Sequence, residues 1–261
     1  MILGKSHRAL NKIESAMAAF QTAYLIQPHS PATELAKHEL MEIKLSIAEK
    51  AHKVKSYNTA FSAYQEILAI DSTSFRANYQ LGIAYQENNW LDKAAFYFKR
   101  AQTINSENKI VPLKLAAIDS LINLAEANFQ KGVKYYLQNN NSSAVRYLKM
   151  AIDLKDDFKQ AKYYYHLARG KILYKKGSQV QLWDAIEMFG NAMMIRPESA
   201  EPHYYLAISY EKKDSDEFDN AINEYKIALE KEPNGPYAKK CADKIKELTS
   251  LRDKLKAFWG K

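Results

Sequence analysis

Cysteine is nearly missing from this sequence. Cys241 stands alone among 261 residues, so no disulfide can close within the chain and no cysteine-based zinc site is available. That permits a reducing compartment without requiring one. Glycine (8) and proline (7) are both scarce, which argues for long helices with short joints rather than many β-turns. No apolar run approaches the roughly 18 residues of a membrane span. The opening stretch MILGKSHRAL lacks the apolar core of a signal peptide. HExxH, GxGxxG, P-loop and GxSxG patterns are all missing. The six histidines (His7, His29, His38, His52, His166 and His203) include no pair four residues apart. His166 and His203 could be neighbours in space, but a metal there would need a third ligand. Acidic pairs such as Asp156-Asp157 fall where helix ends are expected, and turn or cap roles suffice for them. The sequence predicts no enzyme, no metal and no cofactor.

What is present is an ordinary soluble balance, 47% hydrophobic and 26% charged, which argues against disorder. The net charge of +8 raises nucleic acid or a membrane surface as partners. The lysines are nevertheless scattered among acids. The densest clusters are pairs: Lys53/Lys55, Lys175/Lys176, Lys212/Lys213 and Lys239/Lys240. They read as solvated helix faces, and no nucleic acid is expected.

One pattern recurs six times. A small residue is followed four later by a large one, and usually by Ala three after that. The copies are Ala16–Phe20–Ala23, Ala60–Tyr64–Ile67, Ala94–Phe98–Ala101, Ala144–Leu148–Ala151, Ala185–Phe189–Ala192 and Ala221–Tyr225–Ala228. This spacing is one face of a helix. Pro28, Pro197 and Pro233 follow in three copies, placed to end that helix because proline has no N–H to donate. Upstream of each run lies a second helical signature. It is clearest in Leu81-Gly82-x-x-Tyr85, and weaker in Leu206-Ala207-x-x-Tyr210, Gly132-x-x-Tyr135 and Leu167-Ala168. The small residue lets two helices of a hairpin approach closely.

On these residues the chain resembles a tetratricopeptide repeat (TPR) protein, a family with Leu-Gly-x-x-Tyr in the first helix of a 34-residue unit and Ala-x-x-x-Phe in the second. The best copy runs from Phe75 to Asn108, with Asn78 where the family places Trp. The resemblance implies an all-α fold, a right-handed α-solenoid of about six TPR hairpins plus a C-terminal capping helix. Residues 1–34 would be a first repeat truncated at its start, and 31–74 a second with an extended first helix. Residues 75–108 would be the third. The fourth, 109–158, would carry an extended first helix or an extra helix. Residues 159–199 and 200–235 complete the repeats, and 236–261 form the cap.

The insertions carry expectations of their own. Ser30-Pro31 reads as an N-cap and first-turn proline, opening one long helix to about Val54. Apolar residues 110–124 need a partner, either the adjacent hairpin or a second subunit. Seven extra residues before Ala185 are expected in a long loop over Tyr174–Gln181, and two extra near Asp214–Glu217. At the end, Ala238, Cys241, Ile245, Leu248, Leu251 and Leu255 trace an amphipathic helix. Phe258 and Trp259 at its tip either fold back or anchor a partner. Leu3-Gly4 falls on the family's Leu-Gly, which would put Met1 inside a helix and predicts a natural chain extending upstream. Localisation is cytoplasmic by default, periplasmic or membrane-tethered if it does.

The resemblance also implies a concave groove lined by the second, fifth, ninth and twelfth positions of each unit. The third repeat supplies Arg76, Tyr79, Ile83 and Gln86, and the fourth Glu126, Phe129, Val133 and Tyr136. The fifth supplies Lys162, Tyr165, Arg169 and Ile172, and the sixth Glu201, Tyr204, Ile208 and Glu211. In the second repeat the positions are Glu42, Leu45, Glu49 and His52. A ring at the fifth position in four consecutive repeats suggests an aromatic ladder for a protein segment. The Lys and Asn clamp that some TPR domains use for chaperone tails is not matched, since Leu45, Glu49, Tyr79 and Ile83 occupy its places. The leading expectation is an interaction adaptor. Next is a structural component of a large assembly, with self-association through 110–124 or 258–259. An RNA-binding repeat is weaker, because Glu126, Glu201 and Glu211 line the groove.

Overall fold

The computed structural model describes residues 2–26, 30–213 and 218–259. These residues form helices and short joints, with no strand among them. They fall into two compact units, residues 1–122 and 123–261.

Unit 1 holds α1 (Ile2–Ala9), α2 (Ile13–Ile26), α3 (Pro31–Lys53), α4 (Tyr57–Ile70), α5 (Phe75–Glu87), α6 (Leu91–Ile104) and the first half of α7 (Ile110–Leu137). From α1 to α6 each helix packs on the next. The long third helix starts where the sequence supplies a cap: the Ser30 hydroxyl accepts from the Thr33 amide at 3.1 Å, and Pro31 takes the first turn, where its missing N–H costs nothing. Between α4 and α5 the Asp71 carboxylate accepts from the Thr73 amide at 2.9 Å. Asn78, fully buried, donates to the Ser72 and Ser74 carbonyls. Asparagine thus ties down the joint ahead of its own helix.

Unit 2 holds the rest of α7, then α8 (Asn141–Leu154), α9 (Lys159–Lys176), α10 (Gln179–Ile195), α11 (Ala200–Lys213), α12 (Phe218–Lys231) and α13 (Ala238–Trp259). Residues 110–137 make a single helix of 28 residues, not an extra one. Its Val111, Leu115 and Ile118 join the core of unit 1, and Ala125 and Tyr136 that of unit 2. The expected long loop over Tyr174–Gln181 is absent. Only Gly177 and Ser178 separate α9 from α10, because the extra residues lengthen both helices to 18 and 17 residues.

Both units use one hairpin contact. A Cβ added to Gly82 of α5 would lie 2.9 Å from the Phe98 ring of α6. The corresponding distances are 2.6 Å from Gly4 to Phe20, 2.6 Å from Gly132 to Leu148 and 2.5 Å from Gly170 to Phe189. Real side chains do not approach that closely, so the large residue of each second helix fills the space that a missing side chain leaves. The hairpin turns share a left-handed residue: Asn11, Lys55, Asn89, Asn139 and Gly177, with φ between 55° and 76°. Asparagine and glycine tolerate this region, whereas Lys55 does not by itself. α10 ends just before Pro197, and α12 ends two residues before Pro233.

The C-terminal helix packs on α12 through Cys241, Ile245 and Leu248. Phe258 and Trp259 do not fold back; they stand 79% and 70% exposed. Met1, Pro28, His29 and the Asp214–Glu217 insertion lie outside the described residues.

Candidate functional site

The first helices carry the candidate residues, and each unit arranges them differently. In unit 1, Arg76 of α5 reaches across to α3. Its guanidinium lies 2.7 Å from Glu49 and 3.8 Å from Glu42. Tyr79 lies parallel to Phe75, centroids 5.8 Å apart, and tilts against Phe98 at 5.7 Å. Ile83 lines an open cleft of about 430 Å³ together with Glu49, His52, Lys53, Lys55, Tyr64, Gln80 and Glu87. The Glu87 carboxylate pairs with the His52 ring at 2.9 Å and accepts from the Tyr57 hydroxyl at 3.1 Å.

In unit 2 one carboxylate organises the surface. Glu201 of α11 accepts through the same oxygen from the Tyr136 hydroxyl (2.6 Å), the Lys171 ammonium (2.8 Å) and the Tyr237 hydroxyl (2.8 Å). The ammonium sits over two rings, 4.0 Å from the centroid of Tyr136 and 4.5 Å from that of Tyr205, a cation–π arrangement. The Tyr164 ring meets Tyr136 edge-on at 5.3 Å. Burial pulls the Lys171 ammonium below its ordinary pKa, against the opposing pull of Glu201. Burial and Glu201 push the Tyr136 phenol well above its usual range, and burial is the main cause of a rise to about 12 at Tyr205. These phenols therefore stay protonated donors at neutral pH.

A second carboxylate repeats the device ten residues on, nearly three turns along α11. Glu211 accepts from the Tyr225 hydroxyl at 2.8 Å and from Lys244 at 2.7 Å. Tyr204 stacks on Tyr237 with centroids 4.5 Å apart. Ile208 is half-buried beside the Ala207–Tyr225 core. Phe129 packs on Phe158 at 4.8 Å and Val133 is half-buried. The Lys244 and Tyr237 groups come from α13 and the turn before it, so the C-terminal segment fills part of this surface from within.

The structure does not bring Lys162, Tyr165 and Arg169 into that network. Lys162 pairs with Asp156 at 3.0 Å, and the exposed Arg169 points its guanidinium at the Tyr165 hydroxyl, 3.4 Å away. The cause is register. Gly170, not Ala168, faces the ring of α10, so the row of α9 that joins Tyr136 and Glu201 is Tyr164 and Lys171. The Gly170 signal was in the sequence. No pattern marked Tyr237 or Lys244, because both follow the last repeat.

Among the described residues, no group of three or more His, Cys, Asp or Glu is placed to hold a metal ion. None of the described helices is long and apolar enough to cross a membrane.

The family model described as Tetratricopeptide repeat matches residues 75–108, the same span that the best sequence copy occupies. Among curated proteins nothing matches. Solved structures similar to this chain include the MamA protein, 21% identical, covering 76% of this chain and 94% of that one at a TM-score of 0.32. YrrB, titled a TPR protein with an unusual peptide-binding site, is 18% identical over 77% of this chain and 91% of its own, TM-score 0.35. The TPR2AB domain of yeast Sti1, solved as a complex with pHSP90, is 15% identical over 95% and 96%, TM-score 0.38. Residues 75–108 are a tetratricopeptide repeat.

Proposed function

We propose that this chain is a protein-interaction scaffold that holds a segment of a partner protein along its first helices. The observation that carries the reading is the density of rings and apolar side chains on those helices, with one charge among them: Arg76, Tyr79 and Ile83 in unit 1, and Tyr204 and Ile208 in unit 2, beside Tyr164. Rings offer large contact area at small entropy cost, and charges fix direction. YrrB is a TPR protein with an unusual peptide-binding site, and the TPR2AB domain of Sti1 forms a complex with pHSP90, so this kind of repeat does hold such partners.

A second reading places the contacts elsewhere, as in a component of a larger assembly. The outer face of α10 favours it, because Val180, Trp183 and Met194 are exposed there. Ile110, Leu113 and Leu124 of α7, and Phe258 and Trp259, are further exposed apolar positions open to self-association.

Site-specific photo-crosslinking separates the two. A benzophenone amino acid is placed at Arg76, at Ile208 or at Trp183, and each protein is irradiated in source lysate. Adducts from Arg76 and Ile208, with none from Trp183, support the first-helix reading. Adducts from Trp183 alone transfer function to the outer face.

A further inference from the structure

Tyr64 and Tyr225 occupy the same place in their hairpins, four residues after the small residue that opens each run (Ala60 and Ala221). Both are fully buried. Their hydroxyls fare differently. That of Tyr225 donates to Glu211, which Lys244 holds from its other oxygen. That of Tyr64 has no hydrogen-bond partner. A buried donor left unpaired is costly, and most are satisfied by protein, water or ligand.

The reason lies in one residue of the facing helix. Glu211 stands four residues after Ala207, the small residue of α11. The same step from Ala48 of α3 arrives at His52, whose ring meets Tyr64 edge-on at 6.5 Å. His52 is engaged by Glu87 on its outer side. The carboxylate that unit 2 carries within its own chain is therefore missing from unit 1, and the place it would fill opens onto the cleft that Tyr64 lines. Charge around that cleft is unbalanced in a telling direction. Its two acids are committed, Glu49 to Arg76 and Glu87 to His52 and Tyr57. Its two lysines, Lys53 and Lys55, have no carboxylate partner among the described residues.

Within the protein-segment reading on which it rests, we infer that the unit 1 cleft receives an acidic side chain of the bound segment, whose carboxylate accepts from the Tyr64 hydroxyl beneath the ammonium groups of Lys53 and Lys55. The bound carboxylate does for Tyr64 what Glu211 does for Tyr225. The partner segment is accordingly acidic, and it is recognised by a side chain reaching the second helix rather than by contacts to the first helices alone.

The test uses the full chain and three fluorescein-labelled peptides, hexaglutamate, hexaglutamine and hexalysine, read by fluorescence anisotropy. Wild type binds hexaglutamate in preference to the other two. Tyr64→Phe, which keeps the ring and removes only the hydroxyl, weakens that binding about tenfold, as losing a hydrogen bond to a charged group does. The Lys53→Ala/Lys55→Ala pair weakens it and flattens its salt dependence. Tyr225→Phe leaves it unchanged. Circular dichroism checks that each variant keeps its helicity, and the Tm of Tyr64→Phe is equal to wild type or higher. Equal hexaglutamate binding by wild type and Tyr64→Phe overturns the assignment, as does a preference for hexalysine or no binding at all. A lowered Tm in Tyr64→Phe also overturns it, since the hydroxyl would then have a partner such as a bound water. None of these failures touches the wider reading, which stands or falls on crosslinking at Arg76 and Ile208.

Discussion

The two units are built from the same hairpin and finished in opposite ways. In unit 2 the acids on α11 are consumed internally, with Glu201 holding two phenols and one ammonium, and Glu211 holding another of each. The C-terminal segment supplies Tyr237 and Lys244 to complete that network. In unit 1 no later segment supplies a partner to the Tyr64 hydroxyl. There Glu49 pairs with the half-exposed Arg76, the cleft stays open and one buried hydroxyl is unsatisfied. The lesson is that a repeat sets the contact within a hairpin and leaves the surface of its first helix free to vary. Whether that surface binds or merely stabilises depends on what the chain itself lays against it.

The sharpest way to break this comparison is to remove one carboxylate from each unit. Lys171 and Glu201 are only 11% and 19% exposed. Glu201→Ala leaves a buried ammonium and two phenols without their acceptor, and should cost about 3–5 kcal/mol in urea unfolding. Arg76 and Glu49 are 52% and 34% exposed, so Glu49→Ala should cost less than about 1 kcal/mol. Comparable losses would mean that the networks do not differ in kind.

Glycine substitutions probe what the units share. Gly82→Ala in unit 1 and Gly170→Ala in unit 2 should each cost about 1–3 kcal/mol, because both push a methyl group into a packed residue. Gly190 in α10 is the control, since a Cβ there meets nothing within 4 Å. Gly190→Ala should raise stability by about 1 kcal/mol, the ordinary helix gain. A loss at Gly190 would show a hidden contact on the outer face.

The smallest effect is with pH. Burial, then Lys162 and Arg169, hold the His166 ring below its ordinary pKa of 6.5. Below that pH the unfolded chain takes up a proton that the folded one resists, so stability falls as the solution is acidified. In unit 1, the Thr73 hydroxyl hydrogen bond holds Asp71 below its ordinary 3.8. The stability it contributes is present above that value and is lost only as pH falls further. Protection factors of the amides in α9, corrected for the intrinsic exchange rate at each pH, should therefore fall between pH 6.5 and 5 while those around Asp71 do not. Replacing His166 with Gln should remove the difference.

Most of the hairpin plan was legible in the sequence, for a physical reason. A ring filling a missing side chain demands a particular pair of residue types, and pairs such as Gly82 and Phe98 sit 16 residues apart (98 − 82), as do Gly4 and Phe20, and Gly132 and Leu148. The register of α9 was not legible from that spacing, because helix extension moves Gly170 to 19 residues before Phe189 (189 − 170). Choosing Ala168 instead turned the expected surface by two residues, to Lys162, Tyr165 and Arg169. The roles of Tyr237 and Lys244 were beyond sequence reading altogether. They depend on where the C-terminal segment lies, and nothing in its periodicity says that.

The central claim is that equivalent tyrosines are satisfied in one unit and held open in the other. Urea unfolding of Tyr64→Phe and Tyr225→Phe beside wild type tests it most directly. The account predicts that Tyr225→Phe loses about 1.5–3 kcal/mol, because its hydroxyl donates to a carboxylate, while Tyr64→Phe loses nothing or gains. Equal losses at the two positions would contradict it.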